Sequence, residues 1–165
     1  MSSSKTLFET LHRDYYAMVQ QMCLGFMKGD LDLAKDLVQE VFINTWSALN
    51  KFRGTSSHKT WIYRVTVNTC LKYIRDKKIT EQISIDQVQE QLAEPENSSH
   101  HVESQHQSLY KAIGQLGEVD RLIIMMVLDE LEYDDIAIVI GINTGNLRVK
   151  IHRIKKNLKT ILENE

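Results

Sequence analysis

Tyr133-Asp-Asp-Ile-Ala-Ile-Val-Ile140, Gly141-Ile-Asn143 and Thr144-Gly-Asn-Leu-Arg-Val-Lys-Ile-His-Arg-Ile-Lys-Lys156 follow one another without interruption in a chain of 165 residues. Ile136, Ala137 and Ile140 share one face of a short helix, and Leu147, Ile151, Ile154, Leu158 and Ile161 form a single stripe on a second. The glycine between them supplies a tight turn, so the stretch reads as helix, turn, helix. A plain helical hairpin would carry the same stripe. The difference lies in Asn146, Arg148, Lys150, Arg153 and Lys156, which the stripe turns outward from the N-terminal end of the second helix onward. A helix inserted in a DNA major groove needs that arrangement, with base edges met first and phosphates met by the later cations.

Working outward, Leu109, Ile113 and Leu116 and the run Leu122 to Leu128 complete a helical block over residues 105–162. A second block covers residues 7–80. Leu7, Phe8, Leu11, Tyr15, Met18, Val19, Met22 and Phe26 recur at three- and four-residue steps until Gly29. Asp30 is placed to cap the next helix, which carries Leu33, Leu37, Val38, Val41, Phe42 and Trp46 and is expected to reach about Phe52. Arg53-Gly-Thr-Ser-Ser-His58 reads as a turn, and Trp61, Ile62, Val65, Thr69, Leu71 and Ile74 open a third helix.

Residues 81–104 lose this periodicity and gather Glu, Gln, Ser and His around Pro95, the one proline in the chain. That composition predicts a flexible acidic linker, with a short helix allowed near Ile85 to Leu92. Extended, it would span up to about 80 Å at about 3.3 Å per residue. His100, His101 and His106 lie in or beside it and are read as solvated, since no fixed backbone gathers them as metal ligands.

One proline and seven glycines are too few for the turns of a sheet protein, so the fold is expected to be all-α, as two small helical domains. The charge is partitioned. Residues 1–80 carry +5, residues 81–104 carry -6, and Arg148 to Lys159 contains six cations with no acid among them. Lys72, Arg75, Lys77 and Lys78 form a second basic cluster. Two basic clusters either side of an acidic connector suit either solvated faces or two nucleic-acid contacts. Cys23 and Cys70 stand too far apart for a metal knuckle and are expected as reduced core residues. The polar start from Met1 to Thr6 lacks a secretory signal, and the chain is expected to be cytoplasmic.

At this level the sequence resembles the extracytoplasmic-function (ECF) class of bacterial RNA polymerase sigma factors, in two places and in order. Asp36-Leu-Val-Gln-Glu-Val-Phe42, Trp46, Phe52-Arg-Gly54, Thr60-Trp-Ile-Tyr-Arg64 and Asn68 match that family's region 2. Leu131-Glu-Tyr-Asp-Asp-Ile-Ala137, Gly141-Ile142, Gly145 and Ile151-His-Arg153 match its region 4 helix-turn-helix. The resemblance implies a protein that brings core polymerase to promoters and promotes melting. Asp36, Gln39, Glu40 and Asn44 would then meet the clamp coiled coil of the polymerase's largest subunit. Phe52, Arg53, Gly54, Ser57, His58, Trp61, Arg64 and Asn68 would hold the -10 element, with Tyr63 a further aromatic beside that loop and Lys72 and Arg75 near phosphates. Asn146, Arg148, Val149 and His152 would read the -35 element, with Lys150 and Arg153 supporting them on phosphate.

The same resemblance implies an anti-sigma partner, often membrane-tethered in the family. Two departures stand out: Glu132 occupies a position where the family usually has a capping Ser or Thr, and Ile138 one where a polar residue is usual. Two other classes compete with this reading. A two-domain DNA-binding regulator would not need the polar stripe of Asp36 to Asn44 or the aromatic loop. An enzyme would need a nucleophile, a phosphate loop, paired carboxylates or a metal spacing, and none is visible in the sequence, so no catalytic residue, cofactor or small-molecule substrate is expected.

Overall fold

The computed structural model describes residues 2–87 and 104–164. Seven α-helices occur among them: α1 (Ser2–Phe26), α2 (Leu31–Ala48), α3 (His58–Gln87), α4 (Ser104–Ile113), α5 (Glu118–Leu128), α6 (Tyr133–Ile140) and α7 (Thr144–Glu163). A short 3-10 turn, Leu49–Lys51, follows α2. The second helix therefore ends sooner than its apolar pattern suggests, and the chain tightens into the turn before Phe52 takes an extended conformation. The third helix begins at His58 rather than Trp61 and continues to Gln87, taking in residues 81–87 that the loss of apolar period had assigned to the linker. Only Ile83 and Ile85 are apolar there, and at a spacing of two they give no helical period to read. The rest of the expected linker, residues 88–103, including His100, His101 and the latter part of the suggested Ile85 to Leu92 helix, lies outside the described residues.

Helices α1 and α2 pack as neighbours and both lie against α3. The turn between α1 and α2 follows from local chemistry. Gly29, at φ +88°, donates its N–H to the Leu24 carbonyl, and the Asp30 side chain accepts from the Leu33 N–H at 3.1 Å. Leu11, Val19, Met22, Phe26, Val41 and Ile62 fill the space between these helices. Helices α4 to α7 surround Ile113, Leu122, Met126, Ile136, Leu147 and Ile151. Gly141 ends α6 in the left-handed region at φ +86°, which costs a glycine little and any other residue more.

The two groups of helices are packed on each other: α5 lies on α1, and α6 on α3. Gly25 permits the first contact, because a Cβ there would stand 2.3 Å from the Met125 sulfur. Arg121 of α5 is 5% exposed and reaches across to α1. Its Nε donates to the Phe26 carbonyl at 3.1 Å, its Nη1 donates to the Leu116 carbonyl at 2.8 Å, and its guanidinium lies 5.1 Å from the Phe26 ring centre. Burial pushes this guanidinium down from its usual value and nearby Glu118 opposes the shift. The carbonyl end of α1, where the helix dipole is negative, suits a cation.

Candidate nucleic-acid and polymerase interfaces

The loop between α2 and α3 is organised by its own side chains. Ser57 caps α3: its Oγ accepts from the Thr60 N–H at 3.1 Å and donates to Thr60 Oγ1 at 3.0 Å. Its hydroxyl is thus already engaged in building the loop. Phe52 stands half-buried, its ring 5.0 Å from that of Trp61 and 5.1 Å from that of His58. Arg53 and Gly54 are exposed, with Gly54 in the left-handed region. Trp61 packs partly against the core, and Arg64, Asn68, Lys72 and Arg75 follow it at helical steps, all exposed. Trp61 to Asn68 is two turns, or about 10 Å along the axis. The result is an aromatic cluster at one end of a polar and basic stripe.

Tyr63 is not part of that cluster. It is fully buried, and its hydroxyl donates to the Asp129 carboxylate after α5. Two positions beyond Trp61, it falls about 200° around the helix and so faces the packed side.

On α2, Asp36, Gln39 and Glu40 are exposed and Asn44 is half-buried. They do not share one uniform surface. Asp36, Glu40 and Asn44 line a groove with Lys72, Tyr73 and Asp76 of α3, where Asn44 Nδ2 donates to Thr69 Oγ1 at 3.0 Å. Gln39 borders the next groove, an apolar one lined by Phe8, His12, Tyr16, Phe42 and Trp46. The rings there are in contact: Phe8 meets Trp46 edge-on at 5.2 Å, and His12 lies 4.5 Å from Phe42. Phe42 and Trp46 belong to the same apolar pattern of α2, yet Phe42 is buried and Trp46 is 50% exposed.

In the helix-turn-helix, Glu132 stands at the N-cap of α6 without a side-chain hydrogen bond to the helix. Asp134 instead accepts from the Thr144 hydroxyl at 3.0 Å, tying α6 to the start of α7. Asn143 caps α7 by accepting from the Asn146 N–H at 2.7 Å. Asn146, Arg148, Val149, His152 and Arg153 are exposed, and Arg148 lies 5.9 Å from the Tyr133 ring centre. Lys150 differs from its neighbours. Half-buried, it turns back to α5 and pairs with Asp120 at 3.4 Å. Ile138 is 54% exposed.

A bundle with an aromatic-capped basic stripe, and beside it a helix-turn-helix with a cationic second helix, is the combination expected of a nucleic-acid-binding protein. Comparison with known proteins carries this further. The family "Sigma-70 region 2" matches residues 7–79, and "Sigma-70, region 4" matches residues 106–158. The chain is 32% identical to RNA polymerase sigma factor YlaC of Bacillus subtilis (strain 168), over 92% of this chain and 89% of that one. It is 31% identical to the ECF RNA polymerase sigma-E factor of Escherichia coli (strain K12), over 73% of this chain and 69% of that one. Its fold resembles that of the sigma factor RpoE in complex with the anti-sigma factor NepR from Bartonella quintana, with a TM-score of 0.75 and 20% identity over 94% and 96% of the two chains. The chain belongs to the ECF RNA polymerase sigma factors.

Among the described residues no group of His, Cys, Asp and Glu could hold a metal ion, and no helix is long and apolar enough to cross a membrane.

Proposed function

We propose that this sigma factor divides promoter recognition between the two surfaces above and holds core polymerase through a third. The observation that carries the reading is the Phe52, His58 and Trp61 cluster at the head of the Arg64, Asn68, Lys72 and Arg75 stripe. Melting takes a base out of the stack, and an aromatic platform beside a polar, basic helix face offsets that loss while holding the strand. In this reading Phe52 stacks on an extruded base of the -10 element, Asn68 reaches its edge, and Arg53, Arg64, Lys72 and Arg75 meet phosphates. Gly54 lets the backbone approach closely, and Ser57 fixes the loop.

Upstream, Asn146, Arg148, Val149 and His152 meet base edges of the -35 element and Arg153 meets phosphate. Arg148 is suited to a bidentate contact with guanine, worth about 1–3 kcal/mol of discrimination. Asp36, Glu40 and Asn44, with Gln39 at the border of the apolar groove, form the face for the clamp coiled coil. A basic partner helix suits their charge. The protein works in the cytoplasm without catalysis of its own, and a membrane-tethered anti-sigma factor is the partner that holds it inactive. The test is run-off transcription by core polymerase with and without the purified chain. Initiation at discrete promoters only in its presence is the expected result, and DNA binding without transcription would make it a regulator instead.

A further inference from the structure

Tyr133 opens α6 half-buried, its ring packed in part against the core. Two cations of α7 meet the rest of it. The Arg148 guanidinium lies over the ring, 5.9 Å from its centre, and the Lys155 ammonium donates to the hydroxyl at 3.5 Å. Residues 148 and 155 fall about two turns apart, so both stand on one flank of α7. Lys150 lies about 200° around the helix from Arg148, on the opposite flank, where it pairs with Asp120. Val149, His152 and Lys156, between the two flanks, are exposed.

The frame that sets these distances is itself braced. Asp134, next to Tyr133, accepts from the Thr144 hydroxyl at 3.0 Å, and Arg148 follows Thr144 by about one turn. This bond fixes the start of α6 against the first turn of α7, and Tyr133 and Arg148 with it. A free arginine side chain samples many rotamers, and its fork meets guanine in few of them. A guanidinium held over a ring keeps its N–H groups free to donate, because the attraction acts between its charge and the ring face. The ring also draws the arm away from phosphates, which every sequence offers alike. Resting on the assignment of Arg148 as a guanine contact, we propose that Tyr133 is a positioning residue for promoter reading: its ring aims the Arg148 fork at a single base. Upstream specificity then depends on a side chain that reads no base itself.

The test loads core polymerase with the full chain and selects from a random duplex pool, so that the enriched sequences give a preference at each upstream position. Arg148→Ala marks the position that Arg148 reads, by loss of preference there. Tyr133→Leu should lose about two- to fivefold of the preference at that same position and leave the others unchanged. Tyr133→Phe, which keeps the ring and removes only the hydroxyl that meets Lys155, should retain it. A measurement on the wild type guards against misfolding of the leucine variant. In NMR spectra of the free chain, the ring current should set the Arg148 Nε–H resonance upfield of that of Arg153, and Tyr133→Phe should preserve the shift. Unchanged preference in a folded Tyr133→Leu, or an Arg148 resonance without the shift, would overturn the role of Tyr133. So would weakening at every position together, which marks a structural fault, or equal loss in Tyr133→Phe, which would put the hydroxyl in charge. If Arg148→Ala removes no single preference while transcription stays promoter-specific, Arg148 is not a base contact, and the reading on which the proposal rests fails with it.

Discussion

Lys150, in the middle of the cationic recognition helix, is ion-paired to Asp120 of α5 at 3.4 Å, while its neighbours Val149, His152 and Arg153 remain exposed. Its ammonium is therefore committed to the packing of α7 on α5 before any DNA arrives. A cation that neutralises a phosphate contributes about 0.9 to the slope of log affinity against log salt. Lys156→Ala should lower the slope of the full chain on duplex DNA by about that amount. Lys150→Ala should lower it by less than half as much, and Asp120→Asn, which frees Lys150, should raise it. Equal effects of Lys150→Ala and Lys156→Ala in fluorescence anisotropy titrations would put Lys150 on the phosphates.

The acidic face of α2 makes a prediction about polymerase. Gln39→Ala with Glu40→Lys changes two exposed side chains and replaces no core residue. Capture of core enzyme should fall about tenfold, or about 1.4 kcal/mol, as a like charge meets a basic partner helix. Helical content by circular dichroism should stay the same. Capture that is unchanged at moderate salt would remove this face from the interface.

Much of the fold was legible because the signals were local. Asp30 and Gly141 cap and end helices by rules that need only a few neighbours, and the stripe of Leu147, Ile151, Ile154 and Leu158 specifies α7 by period alone. What was not legible is what crosses between the halves. Asp129 stands 66 residues from Tyr63, and nothing near either residue announces the other. Arg121 looks like an ordinary surface cation, but Leu122 to Met126 are five consecutive apolar residues, which marks a helix buried on every side. A cation at the head of such a helix is buried with it. For the site, residue types were readable and engagement was not: Ser57, Asn44 and Lys150 each have partners inside the protein.

Arg121 also makes a prediction about stability. Arg121→Met keeps the length of the side chain but leaves the Phe26 and Leu116 carbonyls without their donor. Hydrogen bonds to a charged group contribute about 1.5–3 kcal/mol each, partly offset here by relief of desolvation, so a net loss of about 2–4 kcal/mol is expected in urea unfolding. Arg121→Lys should not rescue it, because one ammonium cannot reproduce the fork that reaches two carbonyls. Full rescue by lysine would mean that charge alone mattered.

Cys70 gives a pH dependence. Burial, reinforced by Cys23 beside it, holds its thiol well above the ordinary range. The folded state thus keeps the proton more tightly than the unfolded state, whose thiol titrates near about pH 8.5. The associated stability is fully present below that pH and is lost as the pH rises through the folded value. Urea midpoints of the wild type should fall above about pH 9, and those of Cys70→Ala, though lower throughout, should fall less steeply. Tyr110, whose hydroxyl is also raised by burial, contributes a remaining slope at still higher pH. Parallel curves for the two proteins would show that the thiol is not the titrating group.

Promoter melting separates a sigma factor from other helix-turn-helix proteins, and Phe52 is the residue on which to test it. Its ring leans on Trp61 and His58 at the rim of the loop and is half-buried, so part of its face is free to take a base. Phe52→Ala should remove base stacking worth about 1–3 kcal/mol, a loss felt only once the strand is open. Holoenzyme carrying the substitution should still bind closed promoter duplex, because Arg148 and its neighbours are intact, but fewer thymines near the start site should react with permanganate. A template with a premelted bubble should restore transcription. Opening of linear duplex as fast as wild type would place the stacking surface elsewhere. Failure on both templates, with loss of the cooperative thermal transition, would show that Phe52 supports the loop through Trp61 instead of contacting the strand.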